Sequence, residues 1–275
     1  MKQQSFRPFL VMLSALLLLS ACEKDPTEEI PGNLPPQQQL PNPLPANALV
    51  KQLWQAENDH ETFTYNTKGQ VTQKRFQYQY VEGDPTQIRS IVYDFQYDAA
   101  DKPIRINTTG GYAATYTYEG DRIKKTQELY PNGTVAKEVS FVYADGRIIR
   151  EYWGISDSFE DTVTIYKHDF SYDARGNLNK IEMYRQMENF QYQLLETVEY
   201  SDFDDNINPT SWTMRYPFLP QLRYQFNNPR KEVRTPSVGE AQTTTFAYEY
   251  NAAGLPVVQR VTRPSGYVSV IEYKY

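Results

Sequence analysis

The stretch Phe170-Ser171-Tyr172-Asp173-Ala174-Arg175-Gly176-Asn177-Leu178 constrains this chain more tightly than any other. Its first three residues alternate with the period of a strand, so Phe170 and Tyr172 share one face and Ser171 takes the other. Asp173 opens a turn by accepting a hydrogen bond from the backbone two residues on, and Gly176 supplies the positive φ that closes it. Leu178 starts a return strand. The stretch spells one β-hairpin corner.

Copies recur down the chain. Phe63 and Tyr65 lead to Asn66 and Gly69; Phe95 and Tyr97 lead to Asp98; Tyr116 and Tyr118 lead to Glu119 and Gly120. Phe141 and Tyr143 lead to Asp145 and Gly146, Val198 and Tyr200 to Asp202, and Tyr248 and Tyr250 to Asn251 and Gly254. A degenerate copy, Tyr224-Gln225-Phe226-Asn227-Asn228-Pro229, precedes the last one. Asp98 to Lys102 has no glycine, so a looser turn is expected there. The 23 tyrosines fit the same picture, because aromatic residues favour pleated, half-buried surfaces. No stretch sustains a helical stripe, and residues 181–187, which follow a corner, read as strand. The fold class is therefore all-β: a meandering antiparallel sheet of repeated hairpins, curved or partly closed like a barrel. Residues 202–230, with four prolines, read as a longer connection.

The N-terminal segment is separate from this fold. Lys2 and Arg7 precede an apolar run from Phe9 to Leu19, the pattern of a secretory signal and too short to span a bilayer. It ends in Leu19-Ser20-Ala21-Cys22, which resembles the lipobox of bacterial lipoproteins. The resemblance implies cleavage after Ala21 and acylation of Cys22, the only cysteine in the chain. Residues 1–21 are thus the signal, and 22–47 a lipidated cysteine with a proline-rich tether. Residues 48–275 are the hairpin-repeat domain. Loss of two of the 28 basic residues with the signal leaves 26 against 34 acidic ones, a net charge of −8. Such a balance argues against nucleic acid and against adhesion to anionic lipid.

The repeated corner resembles the tyrosine–aspartate repeats of the RHS family, in diverged form, over most of residues 60–275. The long tandem array, self-cleaving core and toxin tail of RHS shells have no counterpart here, so encapsulation is not implied. The whole layout, lipobox, tether and diverged hairpins, is similar to a family of Bacteroidetes lipoproteins with no established activity. That resemblance implies a porin-like antiparallel sheet and, with the acidic Cys22-Glu23-Lys24-Asp25 start, display on the outer face of the outer membrane. A periplasmic placement is the alternative.

Catalytic motifs are missing from the sequence. His60-Glu61 starts a zinc-protease motif, but Thr64 stands where the second histidine belongs, so no metal or cofactor is expected. Asp202-Phe203-Asp204-Asp205-Asn206 starts like a calcium loop, but Ile207 replaces its glycine and Thr213 its closing glutamate, which favours a structural turn. Asp161-Thr162-Val163 resembles an O-glycosylation acceptor, with Thr162 the modified residue. Each unit tyrosine has a structural reason to be there. Trp153, Trp212 and Tyr216 lie outside the units and are the candidate ligand-binding residues. The function expected is a non-catalytic binding or interaction module of the envelope, its partner a glycan or an envelope protein. A structural envelope component and a glycan-active enzyme are the alternatives. The terminal Ile271, Tyr273 and Tyr275 look like an outer-membrane insertion signal, yet Val71-Thr72-Gln73-Lys74-Arg75 offers no apolar outer band, which speaks against a membrane-spanning barrel.

Overall fold

A computed structural model describes residues 46–275 except 82–83, 85, 158–161 and 211–223. Sixteen strands follow a short 3-10 turn at Ala46–Ala48. The first eight are β1 (Gln52–Ala56), β2 (Asp59–Tyr65), β3 (Val71–Gln79), β4 (Ile88–Tyr97), β5 (Pro103–Thr108), β6 (Ala113–Glu119), β7 (Arg122–Leu129) and β8 (Val135–Ala144). The rest are β9 (Arg147–Asp157), β10 (Thr162–Tyr172), β11 (Leu178–Gln186), β12 (Tyr192–Ser201), β13 (Lys231–Pro236), β14 (Gln242–Tyr250), β15 (Pro256–Thr262) and β16 (Val268–Lys274). Each pairs antiparallel with the next, and β1 pairs with β16 through Gln52–Lys274 and Trp54–Glu272. The expected curved sheet is in fact a closed barrel.

Closure creates two rims. The unit rim holds the repeated corners, the start of β1 and the end of β16. The far rim holds the other eight connections, from β1–β2 to β15–β16. Residues opposed across neighbouring strands share a face. Phe63, Phe95, Phe141, Phe170 and Phe246 are buried on the inner one, close to the unit rim. The first four contribute to two hydrophobic clusters, one around Phe141 and Phe170 and one around Phe63 and Phe95, and Tyr116 packs against both.

The outer face is polar at mid-strand. Gln73 donates to Asp94 at 2.8 Å, Lys125 bridges Glu138 at 3.0 Å, Arg260 bridges Glu249 at 2.9 Å, and Arg150 pairs with Asp169. A lysine or arginine facing lipid at the bilayer midplane costs ~2–4 kcal/mol, so this outer surface is suited to water.

In most units the tyrosine stitches one corner to the one before it. Its hydroxyl donates to a backbone carbonyl at the start of the preceding strand: Tyr65 to Val50, Tyr97 to Val71, Tyr118 to Pro103, Tyr143 to Ile123, Tyr172 to Ile148 and Tyr275 to Pro256, all at 2.7–2.8 Å. Tyr275 thus belongs to the repeat as its last half-corner. Four of the corners share one geometry. The side-chain oxygen of Asn66, Asp98, Asp173 or Asn251 accepts from the amides two and four residues on.

One expectation is overturned at Asp98–Lys102. The turn is as tight as the others, with Asp98 N donating to Lys102 O at 2.9 Å and Asp101 adopting φ 64° where other corners place glycine. Aspartate tolerates the left-handed region better than most residues, so no loosening is needed. A second expectation fails at Tyr224–Pro229. This segment is not a hairpin corner; Tyr224 and Phe226 are buried against the unit rim, and only Asn227 makes a bridge, to Ile207.

Five-residue turns occur at the far rim too, with Gly133 and Gly266 at the left-handed position. In the turn from Met187 to Gln191 that position is held by Phe190, at φ 62° and 80% exposed. An aromatic residue there is strained and gains nothing from burial. Phe190→Gly should therefore stabilise the protein by about 1 kcal/mol in urea denaturation; an unchanged midpoint would show that the strain is relieved elsewhere.

Burial pushes the phenols of Tyr65, Tyr97 and Tyr275 above their ordinary value, and that of Tyr143 up to about 12. A folded-state pKa raised above the unfolded one gives stability that is complete below the unfolded value and lost as pH climbs through the folded one. Denaturation midpoints should hold up to about pH 10 and fall steeply toward pH 12, with phenolate absorbance rising as the fold is lost. Midpoints that stay level through pH 12 would contradict this.

Candidate functional site

Sixteen strands enclose more space than one layer of side chains can fill. At the unit rim the gap is taken by a plug formed from the described ends of the β12–β13 connection, residues 202–210 and 224–230. Its anchors are corner residues. Asn177, fully buried, accepts with its side-chain oxygen from the amides of Phe226 at 2.8 Å and Asn227 at 2.9 Å. Gly176 leaves room for this approach, since an added Cβ would stand 3.3 Å from the Phe226 ring.

Asp204 is the second anchor. Its carboxylate accepts from the amides of Asn206 and Asn228 at 3.0 and 3.2 Å and from the Tyr250 hydroxyl, while Arg175 donates to its carbonyl. Burial and the Asp204 hydrogen bond together push the Tyr250 phenol up. The calcium-loop beginning is thus occupied with holding the plug. The plug also reaches β16, where Thr210 hydrogen-bonds the Tyr273 hydroxyl.

The plug enters where the tyrosine stitch is interrupted. Leu178, which opens β11, donates its amide to Tyr224 O at 2.6 Å, and its carbonyl accepts from Gln225. Tyr250, whose equivalents reach a neighbouring carbonyl, turns to Asp204 instead.

Beyond the aromatic layer lies a girdle of charge on the same inner face. Lys74 bridges Glu61 at 3.1 Å with its ammonium 5.9 Å from the rings of Phe63 and Tyr93. Lys137 bridges Glu128 at 3.4 Å and stands 3.6 Å over the Trp153 ring. His168 bonds Glu151 at 2.8 Å and meets Trp153 edge-on at 4.5 Å. Arg234 joins Glu196 at 3.1 Å and Glu232 at 2.8 Å. The phenol of Tyr93 is raised by burial and then by the carboxylates of Glu61 and Glu128. Glu151 is wholly buried, whereas the Arg234 side chain is 44% exposed, so water reaches the girdle on the β12–β13 side.

Paired charges flanked by aromatic faces suit a polar ligand with apolar ring surfaces, held by hydrogen bonds and stacking. A serine, threonine or cysteine nucleophile needs a base bonded to it. Among the described residues none is bonded to His168, and no group of three or more His, Cys, Asp or Glu could hold a metal ion.

Of the residues singled out by sequence, Trp153 lies in the girdle. It stands on the inner wall of β9 opposite Val139 and Tyr166. Thr162 opens β10 opposite Asp157. Ala21, Cys22, Trp212 and Tyr216 lie outside the described residues. Trp54 and His60 stack on the outer face beneath Lys274, so the two histidines stand on opposite sides of the wall. Sequence reasoning missed the girdle, though its signal was present: Glu61, Tyr93, His168 and Glu196 each stand two residues before a unit's inward residue.

No protein-family model matches the sequence, and no curated protein does. Solved structures share the fold. A porin-like protein from Bacteroides vulgatus superposes with a TM-score of 0.59 at 14% identity, covering 82% of this chain and 98% of that one. A porin-like protein from Bacteroides uniformis does so with a TM-score of 0.55 at 12% identity, covering 82% and 96%. This chain has their fold, as the porin-like sheet implied by its sequence anticipated. Identity so low carries no activity across.

The plug should depend on its corner anchor. Asn177→Ala strands two buried amides, and a loss of about 3 kcal/mol is expected in urea denaturation, with faster amide exchange at Phe226 and Asn227. A loss under about 0.5 kcal/mol would mean that the plug is held without Asn177.

Proposed function

We propose that this protein is a cell-envelope lipoprotein, anchored in the outer membrane through acyl chains on Cys22. Its barrel acts as a non-catalytic binding module in water, not as a pore through the bilayer. The observation that carries this reading is the division of the wall. Charged and amide pairs face outward at mid-strand, while the inner face is aromatic near the plug and charged above it. A bilayer-spanning barrel needs the reverse, an apolar outer band over a polar lumen.

The tether follows from the chain's direction. β1 starts at the unit rim, so the chain enters the barrel at its plugged end. The 24 residues from 22 to 45, if extended at ~3.1 Å each, reach ~70 Å from the lipid. A glycan fits the girdle's mixture of aromatic faces and carboxylates, and an envelope protein fits the outer surfaces. The likeness to porin-like proteins supports an envelope setting.

Whole-cell proteolysis tests placement and topology together. Cleavage within the tether should release an intact barrel from cells carrying the native chain, and Cys22→Ser should free it from the membrane altogether. A barrel that stays in the membrane after tether cleavage, or that conducts ions when added to planar bilayers, would refute this reading.

A further inference from the structure

At the unit rim the corners reach one another through a second kind of contact. The residue just before the first inward side chain of a return strand stretches toward the next corner along. Gln70 donates to the Asp101 carbonyl at 3.1 Å. Lys102 donates to the Gly120 carbonyl at 2.9 Å and meets Asp121 at 2.8 Å. Arg122 lies 5.5 Å from the Tyr143 ring and is exposed to water. Arg147 holds the same place and reaches the same way, to Gly176 of the β10–β11 corner.

There the pattern changes. Arg147 is 4% exposed, and all three guanidinium nitrogens are buried. Among the described residues none of the three finds a hydrogen-bond acceptor, and no carboxylate pairs with them. Asp173, the acid of the facing corner, is taken up by its own turn. It accepts from the amides of Arg175 at 2.9 Å and Asn177 at 2.8 Å and from the Asn177 side chain at 3.2 Å. Asp145, in the corner that Arg147 leaves, is exposed.

The surroundings of the guanidinium are aromatic instead. Its carbon stands 5.3 Å from the Tyr172 ring. Its Nη2 and the Phe226 ring close on one point, 3.0 and 3.3 Å from where a Gly176 Cβ would be. A ring face answers part of the charge but leaves the N–H donors unmet. Nor can arginine shed its proton to escape burial, as lysine does. Buried charges are stable when paired, and the planar guanidinium matches a carboxylate or phosphate through two parallel hydrogen bonds.

We propose that Arg147 anchors an oxyanion-binding site, for a carboxylate or phosphate group, where the β8–β9 corner, the β10–β11 corner and the plug meet. Gly146 and Ala174 are exposed, so the site lies directly beneath the rim surface. It belongs to the rim and not to the girdle, and the proposed function can fail while this site holds.

The test uses the full chain extracted in a non-ionic detergent. It is titrated with sodium phosphate, sodium acetate, sodium glucuronate and glucose, with sodium chloride holding the ionic strength constant. Phosphate, acetate or both should raise the thermal midpoint and slow amide exchange at Phe226, whose N–H is bonded to Asn177 beside the site. Glucuronate binding more tightly than acetate, with glucose inert, would place the anion on a sugar; equal binding would make it a free oxyanion. Arg147→Met keeps the length of the side chain without its charge. It should fold with a midpoint level or higher and lose about tenfold or more in anion affinity, the scale of one charge-assisted hydrogen bond. Arg147→Lys, with the charge but not the planar geometry, should bind more weakly than the parent and more tightly than Arg147→Met. Arg122→Met, the exposed counterpart, should leave anion affinity unchanged. An anion effect that survives Arg147→Met, or that Arg122→Met removes equally, would overturn the proposal. So would a parent protein that responds to none of the anions. Faster exchange at Phe226 would overturn it too, since the anion would then be displacing the plug rather than sitting beneath it.

Discussion

A hydrogen bond from a tyrosine hydroxyl to a carbonyl one strand back holds the successive corners in register. It occurs six times at nearly the same length, and each instance ties a corner to the one before it. Sheet hydrogen bonds alone would set strand spacing, but they permit slippage by two residues without changing which face is buried. A hydroxyl that must meet one particular carbonyl does not. Its worth is modest singly, ~1 kcal/mol. Repetition around the barrel is what makes it the organising contact.

The same contact explains where the plug sits. At Tyr250 the stitch is diverted to Asp204, and at Leu178 the plug bonds the first residue of β11 through Tyr224 and Gln225. The long β12–β13 connection is therefore spliced into the repeat. Asn177, which closes its own turn, takes on a second role by holding plug amides.

Much of this architecture was legible in residue order. The corner from Phe170 to Leu178 announces its own turn, its inward face and its recurrence, because each of those depends on local spacing. Closure was not legible, since it requires β1 to find β16 across the whole chain, and nothing in Leu53 or Tyr273 names the other. The plug was misread for a related reason: Tyr224-Gln225-Phe226 has the local pattern of a strand end, but its surroundings are the lumen. Trp153 stood out for its residue type, whereas its partners Lys137, His168 and Glu151 drew no notice, because inward charges on an otherwise aromatic face read as solvent-facing until the wall is closed.

The repeat also ties lumen width to evolutionary bookkeeping. Each corner brings two strands, so gain or loss of a copy changes the circumference by a whole hairpin and never by less. The plug is measured to the present circumference: it meets Asn177 after β10, Tyr250 at the end of β14 and Tyr273 on β16. A duplicated hairpin inserted between those anchors would fold locally yet leave the plug too short to meet them all. Insertions should therefore be tolerated on the β2–β9 side of the wall and purged between β10 and β16, making one arc free to vary in length while the other is locked to its plug.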